Sequence, residues 1–236
     1  MIFTWAAGSH RGRIRDNNED SVFPETGGQT DGPLVVAVAD GMGGHVGGEV
    51  ASRLAIEAIS TETDSPIAER ISAANRLILT KVQANPQLRG MGTTLTAAAL
   101  APVGSLIVAH VGDSRAYLFR SGILEQLTTD HTVVAEYLRA GSIRPEDVAT
   151  HPQRSMLTRA LGLYPEVEVD VIETKVRPGD RLMLCSDGLS SMVDHERIAG
   201  ALTNGAPEEA VWTLIEAANQ AGGHDNITLA VVDVGP

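Results

Sequence analysis

Residues Thr93–Leu127 read TTLTAAALAPVGSLIVAHVGDSRAYLFRSGILEQL. Thr93–Leu100 and Leu106–Val111 are apolar runs on either side of a short Pro-Val-Gly-Ser turn, the pattern of two strands meeting at a tight connection. Ala116–Arg120 and Ile123–Leu127 flank Ser121-Gly122, a two-residue hairpin signal. Strands thus come in hairpin-linked runs. Upstream, Leu34–Ala39 (LVVAVA) is a continuous apolar run and reads as a buried strand. Glu25–Pro33 lies before it and reads as a hairpin loop. Glu49–Glu62 and Pro66–Ala84 are helical in period, the second with Ile67, Ile71, Ala74 and Ile78 on one stripe. Asp64 or Ser65 is its expected cap, with Pro66 at the first helical position. Thr132–Ala140 reads as a helix stopped by Gly141. Val167–Val176 and Arg181–Cys185 read as strands, His195–Leu202 and Pro207–Ala221 as helices, and Ile227–Val234 as a last strand. Helices in pairs beside hairpin-linked strands predict an α+β fold with antiparallel sheets, not alternating βαβ units.

The chain has 236 residues, so one domain is expected over 1–236, large enough to bury a sizeable core. A net charge of −12 and 3% aromatics argue against nucleic acid as the main partner. The single cysteine, Cys185, excludes an intrachain disulfide and favours a reducing compartment. No apolar run approaches the roughly 20 residues of a membrane helix, and Met1–Arg15 lacks a signal-like apolar core. A cytoplasmic location with no membrane segment is the expectation.

The chemistry lies in a repeated pattern: an apolar strand ends, an aspartate follows, and a glycine or small polar residue adjoins it. It occurs at Val38-Ala39-Asp40-Gly41, Val111-Gly112-Asp113-Ser114 and Cys185-Ser186-Asp187-Gly188. Asp225 stands just before the last strand, and Asp20 closes Asn17-Asn18-Glu19-Asp20. Each Asp-Gly alone is most simply a turn. Five carboxylates brought together would repel one another unless a cation neutralised them. Oxygen donors without a close His/Cys cluster point to Mg²⁺ or Mn²⁺ rather than zinc. Two such ions about 3.5–4 Å apart activate water and clamp a phosphoryl oxygen.

Other motifs fail on spacing. Asp16, Asn18 and Asp20 start like an EF-hand loop, but its sixth and twelfth positions are Ser21 and Gly27. Gly41, Gly43 and Val46 break the dinucleotide fingerprint, and no Walker lysine or G-x-S-x-G elbow is present. His224-Asp225 follows two glycines and is not on a helix.

Six motifs occur in order: Arg15-x-x-Asn18-Glu19-Asp20, Asp40-Gly41-Met42-Gly43-Gly44-His45-x-Gly47-Gly48-Glu49-x-Ala51-Ser52, Gly92-Thr93-Thr94, His110-Val111-Gly112-Asp113-Ser114-Arg115, Ser186-Asp187-Gly188-Leu189 and Gly223-His224-Asp225-Asn226-Ile227-Thr228. Together they resemble the PPM-type metal-dependent protein phosphatases (protein phosphatase 2C) in their compact bacterial form. The resemblance implies an αββα sandwich of two antiparallel sheets flanked by helix pairs. It implies hydrolysis of phosphoserine and phosphothreonine in proteins, serine/threonine kinases among them, by a metal-bound hydroxide at a dinuclear Mn²⁺ or Mg²⁺ centre. By motif position, Asp40 bridges two metals, the Gly41 carbonyl binds one, and Asp187 and Asp225 complete the other. Asp20 holds metal-bound water with Glu19 nearby, Asp113 and Asp187 hold a third metal, and Asn226 supports the site. Arg15 grips the substrate phosphate, a task suited to a forked guanidinium. Residues 130–155 match the family's flap, where Ser155 is placed near the third metal. Met42 stands where animal members carry a histidine proposed as general acid. For His45 the resemblance leaves three roles: protonating the leaving group, recognising substrate, or packing, with a metal-held water as the alternative acid. A monomer is the family's usual form. The rivals are a pseudophosphatase that binds phosphoproteins without cleaving them, and a phosphatase of small metabolites.

Overall fold

A computed structural model describes residues 1–43, 47–61 and 65–236. Twelve strands are present among them: β1 (Phe3–His10), β2 (Asp20–Phe23), β3 (Gly28–Thr30), β4 (Leu34–Met42), β5 (Gly92–Thr93), β6 (Leu95–Leu100), β7 (Ser105–Val111), β8 (Arg115–Arg120), β9 (Ile123–Gln126), β10 (Asp170–Lys175), β11 (Arg181–Cys185) and β12 (Ile227–Val234). The helices are α1 (Gly47–Thr61), α2 (Ile67–Ala84), α3 (Val133–Arg139), α4 (Asp187–Ser190), α5 (His195–Leu202) and α6 (Pro207–Gln220). One sheet has the order β3-β1-β12-β11-β8-β9. The other has the order β10-β7-β6-β4-β2, with β5 beside β4. Every pairing among the described residues is antiparallel.

The period-2 pattern of each strand explains the layers. In β4, Val36 and Val38 face the other sheet, while Ala37 and Ala39 face α1 and α2. In β11, Leu182 and Leu184 enter the core between the sheets, and Met183 and Cys185 face α5 and α6. Both faces of the central strands are buried, which is why they read as unbroken apolar runs instead of alternating ones. Small side chains on the helix-facing side, Ala51, Ala55 and Ala58 against Ala37 and Ala39, let α1 lie close to its sheet. The result is the expected αββα sandwich.

The Ser121-Gly122 hairpin forms as expected, while several other local expectations need correction. Ser121 and Gly122 both have positive φ (53° and 83°), as the two-residue hairpin requires. Glu25–Pro33 does connect the paired strands β2 and β4, but its Gly28–Thr30 becomes β3, on the edge of the opposite sheet beside β1. The expected strand 167–176 is shortened to β10, because its partner β7 runs out. The register ends at Asp170↔His110, and Gly112 (φ 114°) turns the partner chain away. Pro66 occupies the cap of α2, not its first turn, and no side chain caps that end. Arg70 instead donates to the carbonyls of Ser65 (2.8 Å) and Ile59 (3.0 Å), tying α2 to the end of α1. Asp64, the other expected cap, lies outside the described residues. Arg11, Arg13 and Arg15 lie in 11–19, the loop between β1 and β2.

Candidate metal and phosphate site

The five aspartates arrive from both sheets. Asp20 opens β2 and pairs in register with Asp40 of β4. Asp113 follows β7 in the same sheet. Asp187 starts α4 after β11, and Asp225 precedes β12, both in the other sheet. Asp40, Asp113, Asp187 and Asp225 line one cavity of about 540 Å³, together with Arg15, Glu19, Gly41, Met42, Ser155 and Asn226. Asp20 sits behind it, 8% exposed. His45 lies outside the described residues.

Hydrogen bonds across the two sheets hold this convergence. The Ser186 hydroxyl donates to Asp20 Oδ2 at 2.8 Å and accepts from the Thr228 amide at 3.0 Å. Asn226 Oδ1 accepts from the Glu19 amide at 2.8 Å, and its Nδ2 donates to the carbonyls of Arg11 and Asn17, each at 2.9 Å. One amide therefore fixes the whole 11–19 loop that carries Arg15. Thr93 and Thr94 form an ordered motif with no role assigned from sequence. Here the Asp40 amide donates to Thr94 Oγ1 (3.0 Å), and Thr93 Oγ1 donates to the Asp40 carbonyl (2.8 Å). The Thr-Thr pair next to a strand start was the only signal for this brace. Asn226 was expected to support the site by hydrogen bonding, but its three partners were not legible in sequence.

Two glycines are required by close approach. A Cβ on Gly41 would lie 2.2 Å from the Gly48 carbonyl oxygen and 2.5 Å from that of Glu19. On Gly188 it would lie 1.9 Å from the Asn226 carbonyl oxygen. Arg15 is half exposed and donates to Asp225 Oδ2 at 2.7 Å, so its guanidinium reaches the cavity through a carboxylate.

The electrostatics point to a cation. Burial pushes Asp20 up to about 7, with Asp187 and Asp225 adding repulsion against hydrogen bonds from Thr228 and Ser186. Burial and Asp187 push Asp113 up to about 8. Burial, then Asp20, Asp187 and Asp113, drive Asp40 well above the usual carboxylate range. Asp187 is raised by burial and Asp225. Asp20 Oδ1 is buried with no hydrogen-bond partner. Carboxylates that resist ionisation in one another's presence suit a hard divalent ion. Among the described residues no three His, Cys, Asp or Glu side chains form a finished cage. Donors spread around a wide cavity suit an ion that keeps several of its waters. The residues fit Mg²⁺ or Mn²⁺, with Asp40, Asp187, Asp225 and Asp113 as candidate ligands beside the Gly41 carbonyl.

A second cavity of about 330 Å³ shares Asp113, Asp187 and Ser155 with the first. Val134 of α3, Pro145 and Val148 wall it on the side of 130–155.

The profile of the protein phosphatase 2C family matches residues 7–216. The serine/threonine protein phosphatase PstP of Mycobacterium tuberculosis is 44% identical over 242 residues, covering 99% of this chain and 45% of that protein. The chain thus spans about half the length of that relative. The serine/threonine phosphatase stp of Listeria monocytogenes is 40% identical over 238 residues, covering 94% of this chain and 92% of its own. The catalytic domain of PstP in complex with two manganese ions superposes with a TM-score of 0.89 at 41% identity, covering 100% of this chain and 99% of that one.

Proposed function

The chain belongs to the protein phosphatase 2C family, and on that premise we propose that it is a metal-dependent protein serine/threonine phosphatase. The observation that carries the reading is the convergence of Asp40, Asp113, Asp187 and Asp225 with Arg15 on one cavity, with Asp20 buried behind it. Two divalent ions, Mn²⁺ or Mg²⁺, supply an activated water and positive charge at the phosphoryl oxygens when bound. Asp40, Gly41, Asp187 and Asp225 would hold them, and Asp113 with Asp187, near Ser155, would hold a third. Asp20 and Glu19 orient water in the cavity, and Asn226 keeps the 11–19 loop in place. Arg15 releases part of its contact with Asp225 to fork onto the substrate phosphate, where its charge offsets that of the monoester. The cavity of about 540 Å³ takes, on this reading, a phosphorylated side chain of a polypeptide. The 130–155 flap, with α3 and the turn of helix at Pro145–Thr150, flanks the peptide. The proposal includes serine/threonine kinases among the substrates, action as a monomer and a cytoplasmic setting, each carried by the family resemblance.

The test is hydrolysis of a phosphothreonine peptide with Mn²⁺, then with excess EDTA, in wild type, Asp40→Asn and Asp225→Asn. Metal-dependent turnover that nearly vanishes in both variants, with circular dichroism unchanged, is the expected outcome. Full turnover in both variants with metal still bound would overturn the assignment. Faster hydrolysis of sugar phosphates than of the peptide would move the substrate to small metabolites.

A further inference from the structure

Behind Asp113 lies a buried arrangement that the reaction scheme does not use. His131 is 4% exposed and sits at the root of the flap. Its Nδ1 lies 3.1 Å from the Gly112 amide. A backbone amide only donates, so Nδ1 is an acceptor and the neutral ring carries its proton on Nε2. Nε2 faces Asp170 Oδ2 at 3.1 Å, where that proton finds its acceptor. Arg159 lies 3.3 Å from Nε2, a meeting of two donors, while it donates to Asp170 Oδ1 at 2.8 Å. The His131 amide in turn donates to the Gly112 carbonyl at 2.7 Å. One residue therefore grips the Gly112 N–H with its side chain and the Gly112 C=O with its backbone. Gly112 itself has a φ of 114°, and a Cβ there would strike the Thr94 side chain at 2.5 Å. The next residue is Asp113, in the cavity.

We propose that His131 is a positioning residue for Asp113: the Asp170–His131–Gly112 chain of hydrogen bonds sets the peptide plane from which the Asp113 carboxylate enters the site, and ties that plane to the flap root. Burial lowers the proton affinity of the His131 ring, against Asp170, in keeping with the acceptor role that the Gly112 amide gives Nδ1. The groups facing the ring are His110, tilted by 34° at 4.7 Å between centroids, with Asp130, Arg159 and Asp170. The inference rests on the reading of Asp113 as a site residue.

The experiment is a double-mutant cycle with a built-in rescue. Asparagine places an amide oxygen near the Nδ1 position, and glutamine places its amide near Nε2. His131→Gln is expected to lower kcat on a phosphothreonine peptide roughly tenfold, in line with the 10- to 100-fold typical of groups that orient a metal ligand, with KM little changed. His131→Asn should recover most of that loss. In an Asp113→Ala background, His131→Gln should cost nothing more. Calorimetric Mn²⁺ titration should show the same non-additivity. The ¹⁵N spectrum of the ring should show a bare Nδ1 and a protonated Nε2, and His131→Gln should speed exchange of the Gly112 amide. If His131→Gln does not melt cooperatively, Asp170→Ala replaces it in the cycle. Wild-type kcat in His131→Gln, or a full additional loss in the Asp113→Ala background, would overturn the proposal. An Asp113→Ala enzyme with normal turnover and Mn²⁺ uptake would overturn it too, through Asp113, while wild-type turnover in the same assay leaves the phosphatase reading standing.

Discussion

At the residue scale the site is set by spaces as much as by side chains. Gly188 stands where the first turn of α4 passes the backbone before β12. A methyl group there would overlap the Asn226 carbonyl oxygen, a rigid neighbour that also belongs to the strap holding the 11–19 loop. Gly188→Ala is therefore expected to lose about 1–3 kcal/mol of stability, the range for overpacking a tight site, and most phosphatase activity, because Asp187 and Asp225 shift together. A urea titration and peptide turnover on the same preparation check it. Asp40, Asp113 and Asp187 were legible because each comes at the end of an apolar run, and a strand end is a fixed point in any such fold, whereas Asp20 and Asp225 stand at strand starts. Asn226 was harder to read in detail: its partners Arg11 and Asn17 lie more than two hundred positions away, and no local pattern links them. Arg15 was expected through the resemblance as a phosphate-binding residue; it lines the cavity, and its ion pair with Asp225 was not legible, for the same reason.

At the scale of elements, local chemistry was a good guide where a turn or a helix stop decides the outcome, and a poorer one at the start of α2, where Pro66 takes the cap. Ser121-Gly122 closes a hairpin because both residues adopt positive φ. Thr132 caps α3, its Oγ1 accepting from the Ala135 amide at 3.2 Å, and Gly141 (φ 69°) follows the end. Thr132→Ala should cost about 1 kcal/mol, the usual worth of such a cap. The loss should appear as faster amide exchange over Val133–Arg139 and not as a large change in global melting, since α3 lies on the flap, outside the three apolar clusters. Edges were where the sequence misled. Gly28–Thr30 carries no strand-like composition, and becomes β3 only because β1 offers it an open edge. The long run at 167–176 has strand composition throughout, yet Val167 and Val169 stay outside the ladder because the partner strand turns away at Gly112. A strand's length is a property of the pair.

For the whole molecule, the buried groups set how stability responds to acid. Burial, with His131 adding to it, pushes His110 down from 6.5 to about 4, against Asp130 and the Thr129 carbonyl. The unfolded chain takes up this proton first as pH falls. The contribution of His110 is thus fully present above about 6.5 and is lost between 6.5 and 4. Asp180 is also lowered: burial opposes this, but hydrogen bonds from Arg120 and the Arg177 amide prevail. Its contribution is present above the ordinary carboxylate value of 3.8 and disappears as pH drops through its lower folded value. In EDTA the raised carboxyls of Asp20, Asp40, Asp113 and Asp187 act the other way and favour the folded chain as pH falls, so the His110 contribution is read as a difference: the urea midpoint of wild type minus that of His110→Asn should fall from pH 7 to pH 4. An unchanged slope in the variant would remove His110 from the account.

The division of the aspartates between the two sheets has a consequence of its own. Asp20, Asp40 and Asp113 belong to one sheet, Asp187 and Asp225 to the other, with Ser186 and Asn226 stitching them together. Each half of the sandwich carries only part of the centre, so on the phosphatase reading the site is complete only when the halves dock. If the proposed phosphatase activity holds, turnover should be a late and all-or-none reporter of assembly, and a substitution deep between the sheets, far from any phosphate, should be felt first as lost turnover.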